Sequence, residues 1–283
     1  MTKMSIRGIL LNVKVIGSGY PLVLMHGGPG ADLYTLMSLK PLADQFTLVF
    51  YDQRCNGRSE GADVTTMTWE NLTADADALR EKLGFEKWAV LGHSFGGYVA
   101  LEYALRYPDR LSHLLLVDTG GDNRLAQENA PQVLAQRGFS PEIVNLARRL
   151  LNGQIEPHEM FPALMKLGKA YTYHVSPRQM LHMMITGLQT KIRPEALIYG
   201  ETHFLKGWSV MDRLNEIKAP TLVMAGRHDF QFPPEHQEEL AAGIPNSRLV
   251  IIDRAGHNVH DEQPAETQRV LRDFLATANT GGA

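Results

Sequence analysis

Short, unbroken apolar runs recur along the chain, at residues 22–25, 48–51, 89–92, 114–117, 222–225 and 249–252. Runs of this length without polar alternation suit strands buried on both faces, as in a parallel sheet. The stretches between several of them carry helical periodicity. Residues 69–83 repeat Leu72, Ala76, Leu79 and Leu83; residues 95–107 place Val99, Tyr103 and Leu105 ahead of Pro108, which stops the helix; residues 264–276 gather Val270, Leu271 and Phe274 on one side. Strands and helices in alternation, joined by right-handed crossovers, predict a doubly wound α/β fold.

The alternation fails between residues 121 and 207. Gly138, Pro141, Gly153, Pro157, Pro162, Gly168, Pro177, Gly187 and Pro194 cut this stretch into short helical pieces, with no run that reads as a buried strand. The predicted organisation is an α/β core at 1–120 and 208–283, interrupted by a helical insertion at 121–207. Such an insertion forms a lid over the carboxyl edge of the sheet, where α/β sites lie, or else a further helical layer with no part in binding.

Composition narrows the partners. The 283 residues carry a formal charge of −3, which gives no basic footprint for nucleic acid and no polybasic membrane patch. No apolar run approaches the length of a transmembrane helix, and the first residues lack the apolar core and cleavage site of a signal peptide. The single Cys55 cannot form an internal disulfide. These features lead us to expect a cytoplasmic protein acting on a small molecule, with a C-terminal tail, 280–283, that frays.

The chemistry starts at Gly92-His93-Ser94-Phe95-Gly96, a G-x-S-x-G motif set between an apolar strand and a helical stretch. In that context the serine sits on a strand-to-helix turn too sharp for side chains at the flanking positions, and is held at a helix N-terminus that favours negative charge. A serine hydroxyl needs a base. Of eleven histidines, His257 lies best, in a glycine-preceded loop just after the run at 249–252; His260 is its rival, otherwise a solvated loop histidine. His26 and His93 fall within the loops themselves and are read as structural, and His158, His174, His182 and His203 as surface or packing residues. The base in turn needs a carboxylate. Asp229, just after the run at 222–225, gives the chain order Ser94, Asp229, His257 expected of this motif; Asp118 is the alternative, and Asp52 is read as a loop residue paired with Arg54 or Arg58. Two N–H groups should stabilise the oxyanion: Phe95, which follows the nucleophile, and Gly28 in His26-Gly27-Gly28-Pro29-Gly30, since Pro29 has no N–H.

HGGPG at 26–30, YDQRCNGRS at 51–59, IKAPTLVMAGRHD at 217–229 and GHNVHDEQP at 256–264 resemble the proline iminopeptidase branch of the α/β-hydrolase superfamily. The resemblance covers about 1–120 and 208–277 and leaves out the insertion. It implies a mechanism through an acyl-enzyme with no cofactor and no metal, with Ser94, His257 and Asp229 at the matching positions. The GHSFG elbow differs from the GGSWG or GQSYG frequent among those peptidases and is like that of many esterases and lactonases. Peptidases of this branch hold the substrate's ammonium group with carboxylates of the inserted domain, for which Glu195 and Glu201 are the candidates here. Met160, Met165, Met180, Met183 and Met184, with Phe161, Tyr171 and Tyr173, could line an adaptable apolar pocket or serve as core; Met183, Tyr171 and Glu201 are the expected substrate contacts. The expected reaction is hydrolysis of a small ester, lactone or amide with an apolar acyl part, with prolyl aminopeptidase activity as the specific alternative. A ligand-binding receptor, a perhydrolase or an acyltransferase on the same scaffold is the competing reading.

Overall fold

In the computed structural model, which describes residues 1–174 and 176–276 and all their side chains except those of Leu125, Arg178, His182 and Met183, each of the six apolar runs is a strand. Two further strands open the chain: β1 (Thr2–Ile6) and β2 (Ile9–Ile16). The prediction missed them because β2 mixes Asn12 and Lys14 into its apolar positions and β1 is mostly exposed. Arg7 and Gly8, both at positive φ, close the hairpin as a two-residue turn. The tail expected to fray lies outside the described residues.

The remaining strands are β3 (Tyr20–Met25), β4 (Phe46–Tyr51), β5 (Trp88–His93), β6 (Leu111–Val117), β7 (Thr221–Gly226) and β8 (Ser247–Ile252). The sheet runs β1-β2-β4-β3-β5-β6-β7-β8; β1 and β2 pair antiparallel with their neighbours, and β3 to β8 are parallel. Side chains alternate across it. Val23, Met25, Val49, Val90, Leu114, Leu116 and Val223 pack on one face with α1 (Trp69–Lys82) and α2 (Phe95–Arg106). Leu22, Leu24, Leu48, Phe50, Leu91, Leu115 and Met224 pack on the other with the 3-10 segment Leu33–Asp44 and the last helix. Because both faces are covered, a strand needs no polar positions, which is why these runs were legible.

Between β6 and β7 come α3 (Asn123–Gln136), α4 (Pro141–Leu151), α5 (Met160–Tyr171), α6 (Pro177–Gln189) and α7 (Pro194–Tyr199), the last continued by a π-turn at Gly200–Phe204, with no strand among the described residues of this stretch. Ala130, Leu134, Ala147, Leu150, Met160, Ala163 and Leu167 form a separate small core for these helices, which Phe230 of the β7 loop joins. The chain ends with α8 (Pro234–Gly243), the short α9 (Val259–Glu262) and α10 (Pro264–Leu275). Strand register places Met25 beside Gly92 and Gly226 beside Ile252, so the loops that leave the parallel strands share one carboxyl edge.

Candidate active site

Ser94 ends β5 and caps α2 at φ 52°, ψ −124°, a left-handed conformation that a serine keeps only when its surroundings enforce it. They do: a Cβ on Gly92 would lie 2.3 Å from the Gly96 carbonyl oxygen, and one on Gly96 would lie 2.0 Å from that of Met25. The Ser94 N–H donates to the Val117 carbonyl (3.1 Å), and the Ser94 carbonyl accepts from the Thr119 hydroxyl (2.7 Å). The hydroxyl is thereby fixed above the end of β5.

The hydroxyl meets His257. Ser94 Oγ lies 3.0 Å from His257 Nε2, and His257 Nδ1 lies 2.8 Å from Asp229 Oδ2. A carboxylate only accepts, so Nδ1 carries the ring proton and Nε2 is left to accept from the serine. All three residues are buried. Burial lowers the proton affinity of His257, but the charge and hydrogen bond of Asp229 outweigh it and raise the imidazole above its ordinary 6.5. Asp229 Oδ1 accepts from the Gln231 N–H (2.8 Å), which fixes the carboxylate's orientation.

Asp118 does not touch the imidazole. Its oxygens accept from the backbone N–H of Gly226 (2.9 Å) and Val259 (3.0 Å), and so tie together the loops that carry Asp229 and His257. Burial, with the nearby Asp229 charge, pushes the Asp118 carboxyl well above its usual range. His260 is not the solvated loop histidine of the sequence reading: it is buried on α9, with Nε2 at 3.0 Å from the Thr35 carbonyl and its ring edge against His93. His93 Nε2 donates to the His257 carbonyl (3.0 Å), and burial with the neighbouring histidines holds His93 well below 6.5, so it stays neutral. His93, Asp118 and His260 bring potential metal-ligand atoms within 4.8 Å of one another, but both Asp118 oxygens are already taken by the backbone.

The expected ion pair of Asp52 with Arg54 or Arg58 is not formed. Asp52 accepts from Asn12 Nδ2 and from the Leu33 and Arg58 N–H groups, while the Arg54 side chain pairs with Asp75 and that of Arg58 with Asp32. The loop after β4 serves its neighbour instead. Gln53 donates its N–H to His26 Nε2 (3.1 Å) and its amide to the His26 carbonyl (2.8 Å), and Asn56 Oδ1 accepts from the Gly30 N–H (2.5 Å). The sequence reading assigned neither residue a role; the signal was their place in the 51–59 motif. His26 Nδ1 donates to the Gly27 carbonyl, a structural use as expected.

A cavity of about 270 Å³ opens over Ser94. Gly28, at φ +129°, and Phe95 both line it, and as the first residue of α2 Phe95 has no preceding turn to accept its N–H. The walls are Leu150, Leu151, Leu164, Ile192, Leu197, Leu205 and Phe232. Of the aromatic and methionine side chains proposed from the insertion, only Tyr171 lines the cavity among the described residues. Its ring centroid is 5.5 Å from that of His257, its carbonyl accepts the His257 N–H (2.9 Å) and its hydroxyl meets Gln231. Met160 is in the helical core, whereas Phe161, Met165, Tyr173, Met180 and Met184 are exposed on the outside; the Met183 side chain lies outside the described residues. His158, His174 and His203 are exposed.

Glu201 lines the cavity, where its Oε2 accepts from Gln127 Nε2 (3.1 Å) and Asn123 Nδ2 (3.5 Å). Burial pushes its carboxyl up to about 7, against the smaller pull of those amides. Glu195, the other proposed carboxylate, instead pairs with Arg193 away from the cavity. Glu262, a residue the sequence reading passed over, accepts from the N–H groups of Gly256 (2.7 Å) and Tyr173 (2.6 Å), joining the His257 loop to the inserted helices.

A mostly parallel sheet of this order, with a serine on a strained strand-to-helix turn and an imidazole and carboxylate at its carboxyl edge, defines an enzyme of the hydrolase class. The chain belongs to the alpha/beta hydrolase fold family, whose model matches residues 20–264. It is 26% identical to a proline iminopeptidase of Heyndrickxia coagulans, covering 92% of this chain and 91% of that protein. It is 28% identical to a 2-hydroxy-6-oxo-6-phenylhexa-2,4-dienoate hydrolase of Comamonas testosteroni, covering 94% and 91%. The crystal structure of the Mycobacterium smegmatis proline iminopeptidase superposes with a TM-score of 0.80 at 26% identity, covering 100% of this chain and 99% of that one. No helix among the described residues is long and apolar enough to cross a membrane.

Proposed function

We propose that the protein is a serine hydrolase acting on a small ester, lactone or amide with an apolar acyl part. The observation that carries this reading is the continuous relay from Ser94 Oγ through the His257 ring to Asp229, with spacings of 3.0 and 2.8 Å, beneath an apolar cavity. Ser94 attacks the carbonyl while His257 Nε2 takes the hydroxyl proton; Asp229 holds the tautomer and stabilises the imidazolium. Gly28 and Phe95 N–H groups stabilise the oxyanion, each worth on the order of 3 kcal/mol. His257 then passes the proton to the leaving group, and water, activated by the same imidazole, releases the acid. The helices of 121–207 act as a lid whose inner surface, from Leu150 to Leu205, selects the acyl group.

One observation favours a narrower reading, prolyl aminopeptidase activity. Glu201 is the one carboxylate among the described lining residues of a mostly apolar cavity, suited to an acyl part that carries an ammonium group. Initial rates on p-nitrophenyl esters, lactones and proline arylamides separate the two: turnover confined to proline arylamides assigns the aminopeptidase, and turnover of esters or lactones with inert arylamides assigns the broader hydrolase. Absence of turnover throughout, together with failure of Ser94 to react with an organophosphonate, would overturn both.

A further inference from the structure

Helix α6 is amphipathic in the opposite sense to a helix that packs on a core. At 100° per residue, Met180, Leu181, Met184, Ile185 and Leu188 fall within one arc of about 140°. All five are exposed, from 48% for Ile185 to 84% for Leu188. On the other side of the helix the described polar side chains face the protein: Thr186 is half-buried, and the half-buried Gln179 donates to the carbonyls of Glu262 (2.7 Å) and Asp261 (3.2 Å). Phe161 and Met165, one turn apart on α5, are also exposed, at 63% and 66%. Of the eleven exposed large apolar residues among the described ones, eight lie between 161 and 188 and five of these share the outer face of α6, unlike the single scattered residues that any surface shows.

Charge identifies what covers it. Residues 160–193 contain no aspartate or glutamate but carry Lys166, Lys169, Arg178, Lys191 and Arg193, in a chain whose net charge is −3. Glu142 and Glu195 pair with Lys166 and Arg193, which offsets part of the positive charge of this segment. A second copy of the chain docking face to face would bring two such basic segments together. An anionic phospholipid surface satisfies both features, with the apolar side chains entering the acyl boundary and the cations meeting the headgroups. We propose that the outer face of α6 docks on an anionic lipid–water interface. The helix is bracketed in sequence by Tyr171 and Ile192, both of which line the cavity, so docking there would set the cavity beside the lipid phase. The binding itself does not depend on the proposed reaction.

The test is flotation of the full chain with phosphatidylcholine vesicles, with and without phosphatidylglycerol, at low and high salt, for the wild type and for the double variant Met184→Glu, Leu188→Glu. Both positions are solvent-exposed and neither lines the cavity, and thermal melting checks that the variant folds. Docking predicts wild-type binding to phosphatidylglycerol vesicles that weakens in high salt, and a bound fraction in the variant lower by roughly tenfold or more. No binding by the wild type, equal binding by the variant, or equal binding to phosphatidylcholine alone overturns the proposal. So does a lipid-free dimer that the double substitution dissociates, because the face would then belong to a second copy.

Discussion

Glu201→Gln tests the electrostatics of the cavity. The carboxyl's ordinary value of 4.5 is pushed up to about 7 by burial. Between those values the folded chain keeps a proton that the unfolded chain has released, so stability is fully present below pH 4.5 and falls as pH rises through 7. At about 1.4 kcal/mol per pH unit across that interval, the cost at pH 8 is at most about 3.5 kcal/mol, reduced where cavity water solvates the carboxylate. Glutamine keeps an acceptor for Gln127 and never ionises. Melting curves of the two proteins should therefore nearly coincide at pH 4.5 and separate by several degrees at pH 8, with the variant the more stable. If the aminopeptidase reading holds, the same variant loses most of its rate on proline arylamides while keeping that on neutral esters. A melting difference of equal size at pH 4.5 and pH 8 would refute the reasoning, since it would show that ionisation of this group in the cavity carries no cost.

Ser94→Ala and His257→Ala should each lower turnover by several orders of magnitude, and the double variant should be little worse because the groups act as a unit; additive losses would count against the relay. The rate should fall as pH drops through the raised pKa of His257, and Asp229→Asn should move that midpoint down as well as slow the reaction; an unmoved midpoint would separate Asp229 from the imidazole's charge. Gly200→Ala places a Cβ 2.4 Å from Cγ of the rigid Pro29 ring, beside Gly28, so ester turnover should fall roughly tenfold or more with the fold retained, as checked by kinetics and melting. Arg54→Met leaves Asp75, paired through two hydrogen bonds in a buried site, with only the more exposed Arg7; urea unfolding should show a loss of about 3 kcal/mol, most of it recovered by adding Asp75→Leu.

The sequence by itself determined the parallel strands and the chemistry at their ends. A strand covered on both faces is an uninterrupted apolar run, and a serine turn hemmed in by backbone demands glycines at fixed positions, so the strands and Ser94 appear as local patterns. Asp229 and His257 were legible because each follows such a run. What only the tertiary structure decided are relations between distant residues. The hairpin of β1 and β2 is held by pairing with β4, not by an apolar run of its own. Asp118 and His260 read as competing catalytic groups until the fold set them behind the loops they brace, and Gln53 and Asn56 acquired a role only when β4 was placed beside β3. The inserted helices were the least legible. Helical spacing gives the presence of an apolar stripe but not the direction it faces, which depends on what the helix packs against. Tyr171 and Glu201 therefore turned inward, while Met180 and Met184 of α6 turned out.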